Sequence, residues 1–282
     1  MDTEIVIIGG GPVGLYLGVE LTHRDIPFQL FEVSRHPHTH SRSIGIHPPI
    51  LEQFESLDLT SSFLARGLPI RRGHAFHNQE PITTIDFSHA PAPYQFVLAL
   101  PQHQTETILR ETLQHRAPHS VHFGWKATSV DQNGDSARLE LVNTETGRAQ
   151  YVTTRMVIAC DGLHSRIRKQ ANFAWRGQRY PDNYMMGDTD DTTDFNSDAA
   201  IFLHQEGLIE SFPLPDDRRR WVAKTDSYVE QPDYSLLAHI VHHRTGIALP
   251  DSQPYILSSF GVQHQIANPM ANGLFWLAGD AA

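Results

Sequence analysis

The hydrophobic positions of this chain change period several times, and each change marks an element. Ile5, Val6, Ile7 and Ile8 form a short continuous apolar run, which suits a strand buried on both faces of a parallel sheet. Pro12 then opens a helical pattern carrying Leu15, Leu17, Val19 and Leu21, and residues 28–31 return to a strand. Pro48 and Pro49 start a predicted helix over 50–57, with Leu51, Phe54 and Leu57 on one face; Gly67 closes another over 60–66. Residues 68–100 scatter Ala75, Phe76, Ile82, Ile85 and Phe87 among Gly, Pro and polar residues, a pattern of short antiparallel strands and turns. Pro101 sits at the first turn of a helix over 102–115 with Ile108, Leu109 and Leu113 as its stripe.

Further on, 121–130, 138–143 and 149–153 read as a meander, turned at Asn133-Gly134 and Thr146-Gly147. Residues 156–159 form another buried strand, followed by a basic helix with Arg166, Arg168 and Lys169. From 173 to 265 β-like runs alternate with prolines: 199–203, 208–214, 221–225 and 255–262, with one helix over 234–243. A last buried strand pattern covers 274–278.

One junction carries chemistry. Gly9, Gly11 and Gly14 give G-x-G-x-x-G between the first strand and its helix, with Pro12 and Val13 inside the turn. The first glycine allows the tight turn, the second lets a pyrophosphate approach the backbone, and the third lets helix and strand pack closely. The helix N-terminus faces the negative charge. The second strand ends at Glu32, eighteen residues after Gly14, where a carboxylate can accept hydrogen bonds from an adenosine ribose. Strand, turn, helix and acid together are the context that a dinucleotide site requires. Glu32 favours an unphosphorylated ribose, as in FAD or NAD, and does not choose between them.

Composition narrows the rest. The 282 residues are 40% hydrophobic with a net charge of −10, so a nucleic-acid partner held by charge is not expected. A single cysteine, Cys160, excludes an internal disulfide and fits a cytoplasmic enzyme. No run reaches the ~18 to 20 apolar residues of a membrane span, so stable membrane insertion is not expected. The first apolar run, broken by Gly9 to Gly11 and lacking a basic leader, is no signal peptide. His36, His38 and His40 alternate in a Pro-containing loop without a Cys or acid at ligand spacing; they read as solvated, and no metal is expected. Neither a second G-x-G-x-x-G nor a C-x-x-C pair occurs, which argues against a second dinucleotide domain and against disulfide reduction.

Four landmarks in order now stand together: the glycine turn with Glu32, the segment Ser41-Arg42-Ser43-Ile44-Gly45-Ile46, Cys160-Asp161-Gly162 after a strand, and Leu277-Ala278-Gly279-Asp280-Ala281-Ala282 after the last strand. Leu100-Pro101-Gln102 opening a helix adds to them. On these residues the chain resembles the single-component FAD-dependent aromatic hydroxylases, the family of p-hydroxybenzoate hydroxylase and related phenol and polyketide monooxygenases. The likeness runs over essentially the whole chain. It implies an α/β fold: a Rossmann-like FAD-binding domain with a parallel sheet, plus a β-rich substrate domain. The first is expected over 1–70, 96–178 and 266–282, the second over 71–95 and 179–265. It also implies FAD as cofactor, with NADH or NADPH a transient co-substrate at the flavin domain.

The resemblance assigns roles beside which plainer ones stand. Arg42 neutralises the diphosphate or bonds the ribityl chain, or is a surface arginine. Gln102 bonds the ribityl or phosphate region through its amide, or caps its helix. Asp161 and Gly162 lie near the pyrophosphate and the path of NAD(P)H, or form a strand-to-helix turn. Gly279 precedes Asp280, which accepts hydrogen bonds from ribityl hydroxyls. Cys160 reads as a packed small residue and not a nucleophile.

In this family the hard chemistry belongs to the cofactor. NAD(P)H reduces the flavin, O₂ adds at flavin C4a, and the hydroperoxide's terminal oxygen passes to an electron-rich aromatic or polyketide-like small molecule. No catalytic side chain is required; His47, Phe212 and Arg220 are expected nearest to flavin or substrate. Residues 207–214 are expected to line the pocket. Arg218, Arg219 and Arg220 read as an exposed hairpin turn, with Arg220, opposite Trp221 by alternation, the one to point inwards. No carboxylate clamp appears in 208–214, which favours a larger, apolar ring over a small benzoate. Competing functions are a FAD-dependent reductase of the geranylgeranyl-reductase type and a truncated non-catalytic fragment. Family members continue past Gly-Asp-Ala-Ala into a helix that faces the flavin and covers the sheet, so a chain ending at Ala282 is expected to hold FAD weakly or not at all.

Overall fold

The computed structural model describes residues 3–37, 43–91 and 93–282. Its contacts gather 1–39, 103–178 and 264–282 into one compact unit and 40–102 and 179–263 into another. The sequence pattern divides the chain at 70 and 95 instead. Segment 40–102 falls wholly within the second unit, where Gly45–Ile46 and Leu68–Ile70 both hydrogen-bond to Val97–Ala99 in a small antiparallel sheet.

In the first unit five strands run parallel in the order Phe275–Leu277, Ala149–Ala159, Thr3–Ile8, Phe28–Glu32 and Val121–Phe123. Val6 and Ile7 are fully buried, as expected of a strand covered on both faces. The helix Pro12–His23 buries Leu15, Gly18 and Val19, and a Cβ on Gly18 would already touch Leu113 at 3.0 Å. Trp125–Asn133 and Ser136–Asn143 add an antiparallel meander whose Leu139 and Leu141 are fully buried.

Two expectations change here. The runs at 149–153 and 156–159 are one strand, Ala149–Ala159. Its first half pairs antiparallel with Ser136–Asn143 and its second half parallel with Thr3–Ile8; Thr154 pairs with both Ala137 and Thr3. The period changes because the neighbours change, not because the strand stops. Conversely, the run at 121–130 is two strands, broken at Gly124, whose φ of 78° only glycine adopts without strain.

The second unit is built on a seven-stranded sheet in the order Ile256–Ala267, Trp175–Asp190, Arg218–Thr225, Ile209–Leu214, Ala199–Leu203, Arg72–His77 and Glu80–Asp86. One face packs Met185, Phe202, Ile209, Trp221 and Ala223 against Leu237 and Val241 of the helix Tyr234–Thr245. Asp233 caps that helix by accepting from the Leu236 amide, and Gly246, at φ 75°, ends it. The 16-residue strand Trp175–Asp190 is absent from the sequence pattern: Gly177, Pro181 and a run of exposed polar residues disguise its first half.

The three arginines are not an exposed turn. The turn falls at Asp216 and Asp217, both at positive φ, and Arg218–Thr225 is a strand with Arg219 and Arg220 buried. Arg219 Nε donates to Asp191 at 2.8 Å and its Nη1 to Ser211 at 3.1 Å. Arg220 was expected to be the one pointing inwards; Arg219 is buried as fully, and Arg220 grips Asp188 with two bonds of 2.6 and 2.8 Å. Buried charges persist because each guanidinium has a carboxylate. Asp188→Ala, which strands the Arg220 charge, should cost about 3–5 kcal/mol in urea unfolding.

Candidate cofactor site

Every recognised landmark of the first unit lies where a parallel strand ends. The Gly9 amide donates to the Phe31 carbonyl at 2.9 Å, the Cys160 amide to Ile8 at 2.7 Å, and the Ala278 amide to Ala159 at 2.9 Å. These bonds fix the loops after the strands ending at Glu32, Ile8, Ala159 and Leu277 side by side along one carboxyl edge. That edge is where open α/β sheets bind ligands. Glu32 and Asp280 stand three inter-strand steps apart, about 14 Å at ~4.8 Å per step.

The glycine turn divides its labour as its spacing predicts. Gly9, at φ 107°, lies against the Cys160 carbonyl, and a Cβ on Gly14 would collide with the Gly9 carbonyl. Around Gly11 nothing lies within 4 Å of where a Cβ would be. Two glycines are therefore set by packing and the third by what approaches from outside. The helix behind has Pro12 in its first turn and no side-chain cap, leaving the Val13 and Gly14 amides directed outwards. Val13 is exposed and packs beside Gly279: a Cβ there, at φ 60°, would stand 2.8 Å from Val13 Cγ2.

Glu32 is buried, and its carboxylate is held from both sides. Oε2 accepts from the Gly10 amide at 2.5 Å and Oε1 from the Ser34 amide at 2.7 Å. Each oxygen keeps a second lone pair for a ribose hydroxyl. A Cβ on Gly10 would come within 2.7 Å of Glu32 Cβ, so Gly10 is also a required glycine. The sequence reading left it as an x, although the triple Gly9-Gly10-Gly11 was its signal. Arg110 was missed as well. It donates to the Arg35 carbonyl at 2.5 Å and the Ser34 carbonyl at 3.2 Å, and lies 3.6 Å over Phe123. It thereby fixes the loop leaving Glu32. Burial lowers its pKa, opposed by Glu32 and Glu106. Its signal was a charged residue beside Leu109 in the helix stripe.

Asp161 uses Oδ2 to cap the next helix, accepting from the Arg166 amide at 2.8 Å and Ile167 at 3.3 Å. Its Oδ1 is buried without a partner among the described residues. Gly162 follows at φ 76° with nothing within 4 Å of a Cβ. Arg168, read only as part of a basic helix, is buried. It donates to the Leu163 carbonyl at 2.7 Å and the Ala281 carbonyl at 3.0 Å, tying the loop after Asp161 to the loop bearing Asp280. Burial depresses its pKa, and Asp161 partly restores it. Asp280 is exposed and has no side-chain partner among the described residues.

Some predicted residues belong to the other unit. Gln102 begins the helix Gln102–Arg116, its backbone N–H donating to the Ser43 carbonyl at 3.1 Å. His47 is exposed ahead of the helix Pro48–Glu55. Phe212 is half-buried beside Arg220 on neighbouring strands. Arg42, with His38 and His40, lies outside the described residues.

The donor set of the first unit fits an extended dinucleotide: outward amides and an open glycine, a bonded ribose acceptor, and an unsatisfied buried carboxylate oxygen. A model of the FAD binding domain family matches residues 2–282. The chain belongs to that family. It is 30% identical over its whole length to an uncharacterised aromatic compound monooxygenase, YhjG, of Bacillus subtilis (strain 168), covering 56% of that protein. It is 29% identical to 6-methylpretetramide 4-monooxygenase of Streptomyces rimosus, over 99% of this chain and 51% of the relative. The crystal structure of p-nitrophenol 4-monooxygenase PnpA from Pseudomonas putida DLL-E4 superposes with a TM-score of 0.89 at 20% identity, covering 100% of this chain and 74% of that one. The resemblance to the FAD-dependent aromatic hydroxylases, and the mixed α/β fold it implied, are thereby borne out. The chain spans about half the length of the curated relatives it matches.

Two outcomes test this geometry. Gly14→Ala should destabilise the fold by about 1–3 kcal/mol through overpacking, whereas Gly11→Val should leave thermal unfolding unchanged and weaken FAD binding. Burial, reinforced by Asp161, pushes the Cys160 thiol up to about 12. At pH 8 it should react with a thiol reagent only as fast as the protein unfolds.

Proposed function

We propose that this chain carries the flavin of an NAD(P)H- and O₂-dependent monooxygenase that places one oxygen atom on an aromatic or polyketide-like small molecule. The observation that carries this is the alignment of the glycine turn, Glu32, Asp161-Gly162 and Gly279-Asp280 along one strand edge. Bound FAD would supply the redox and oxygen chemistry. The chain's own residues bind and orient. The amides of the 9–14 turn take the pyrophosphate, with Gly11 leaving room and Pro12 and Val13 shaping the approach. Glu32 receives the adenosine ribose, and Asp280 receives ribityl hydroxyls. Asp161-Gly162 borders the path of the nicotinamide co-substrate. Phe212, Arg220 and His47 contribute to the substrate region.

No nucleophile is needed, and the buried, protonated Cys160 does not supply one. Titration with FAD should quench flavin fluorescence, and Glu32→Ala should raise the dissociation constant roughly tenfold, the loss of about one charge-assisted hydrogen bond. With NAD(P)H and an aromatic substrate, isotope-labelled O₂ should leave a single labelled oxygen in the product. A reduced but unoxygenated product would indicate a reductase and overturn the reading.

A further inference from the structure

Thr84, His74 and Asp198 stand in line on the helix-covered side of the seven-stranded sheet, away from the face that carries Arg220. His74 pairs in register with Ala200, and Ala200 with Ser211, which lies opposite Trp221 of the helix core; cross-strand partners share a face. The His74 ring spans its two neighbours. Nε2 is 3.0 Å from Asp198 Oδ2, and Nδ1 is 3.0 Å from Thr84 Oγ1. An ionised carboxylate only accepts, so Nε2 carries the ring proton and Nδ1 of the neutral ring accepts from the threonine hydroxyl. Asp198 is 7% exposed, whereas Thr84, on the edge strand Glu80–Asp86, is open to solvent.

Strand register supplies an electrophile's partner as well. The Phe87 N–H donates to the Arg71 carbonyl at 2.9 Å. Counting back, Ile85 and Gly73 form a hydrogen-bonded pair and Thr84 and His74 a non-bonded one. Side chains come closest at a non-bonded pair, and the backbone N–H of Thr84 there turns away from Arg72–His77. Glu80–Asp86 is the last strand of its sheet, so that N–H faces outwards without a ladder partner among the described residues. The ring and its carboxylate are held on their other sides. Phe195 stacks on His74 with centroids 6.0 Å apart, and Arg219 donates to the Asp198 main-chain carbonyl at 3.2 Å. Arg72, more than half exposed, shares the Asp198 carboxylate at 3.1 Å. A hydroxyl, a base bonded to it, a buried carboxylate orienting the base and an outward amide beside the hydroxyl are the parts of an acyl-transfer site.

We propose that this chain has a second, flavin-independent activity, the hydrolysis of small activated carboxylic esters, with Thr84 as nucleophile, His74 as general base and Asp198 as positioning residue. Thr84 Oγ1 bonds to the acyl carbon while its proton passes to His74 Nδ1, and the charge on the carbonyl oxygen is met by the outward Thr84 N–H. The bond to the leaving alcohol then breaks, and the alcohol departs with that proton. Water next gives a proton to the same nitrogen and adds to the acyl-threonine; the carboxylic acid leaves and the proton returns to Oγ1. Nothing is oxidised or reduced. An open strand edge offers little binding energy, so the ester must be small and its leaving group good. The activity goes beyond the monooxygenase reading and does not rest on it.

The test uses p-nitrophenyl acetate at pH 8 on the full chain, with and without FAD. The native protein should release p-nitrophenolate faster than buffer to the same extent in both cases, and peptide mass spectrometry of the quenched reaction should find acetyl on Thr84. Thr84→Val, which suits an exposed strand, should leave thermal unfolding unchanged and lower the rate above buffer at least about tenfold; Thr84→Ser should retain it. His74→Gln should lower the rate by a similar factor. Asp198→Asn should displace the pH profile of the ester reaction to lower pH, because the imidazolium loses its counter-charge, a change that loosened packing alone does not produce. Acetyl found on other residues and not on Thr84, or a native rate in Thr84→Val or His74→Gln, would each overturn the assignment. The acetyl-Thr84 readout is made on the native protein and so decides even where a variant fails to fold.

Discussion

Parallel hydrogen-bond register is the constraint on which the cofactor region depends. A strand in a parallel sheet cannot slide without breaking its ladder on both sides, and all five strands here are locked to a neighbour. Once Ile8, Phe31 and Ala159 hold the amides of Cys160, Gly9 and Ala278, four loops distant in sequence emerge at one level. None of their residues needs to be catalytic for this to matter. Their value lies in being held at fixed spacing before any ligand arrives, so that little ordering entropy is lost on binding.

A second layer of polar contacts stabilises those loops from below. Arg110 fastens the chain beyond Glu32, and Arg168 fastens the loop beyond Asp161 to the loop beyond Leu277. Both guanidiniums are buried and use main-chain carbonyls as acceptors. Carbonyls at the ends of strands lack ladder partners, and a planar, multi-donor cation satisfies several at once. The bound carboxylate of Glu32 follows the same logic in reverse, collecting amides that the turn leaves unpaired.

The second unit solves a different problem. Its sheet is covered by a helix on one face, and a buried ion pair lies on each side of the strand Arg218–Thr225: Asp191 neutralises Arg219 on the helix side and Asp188 neutralises Arg220 on the other. Such pairs contribute little net stability compared with apolar packing. They do neutralise both buried guanidiniums, whereas Arg218 in the same strand has no carboxylate partner among the described residues and lies over the Tyr255 ring. Electrostatic character here is decided by which charges are already paired, and composition alone does not reveal that.

The sequence by itself determined the elements whose cause is local. The glycine turn, the acid after the second strand, the helix capped at Asp233 and closed at Gly246, and the Gly134 and Gly147 turns all follow from steric freedom or periodicity within a short window. Tertiary structure decided everything that depends on a neighbour. Whether 149–159 is one strand or two depends on what pairs with each half, and the exposed polar half of Trp175–Asp190 has no period of its own to announce it. The arginines at 218–220 looked like a solvated turn because charge favours water; only the carboxylates of Asp188 and Asp191, brought in from another strand and its following loop, make their burial possible. Gly10, Arg110 and Arg168 were hidden for the same reason, since each acts on a residue far away in the chain and close only after folding.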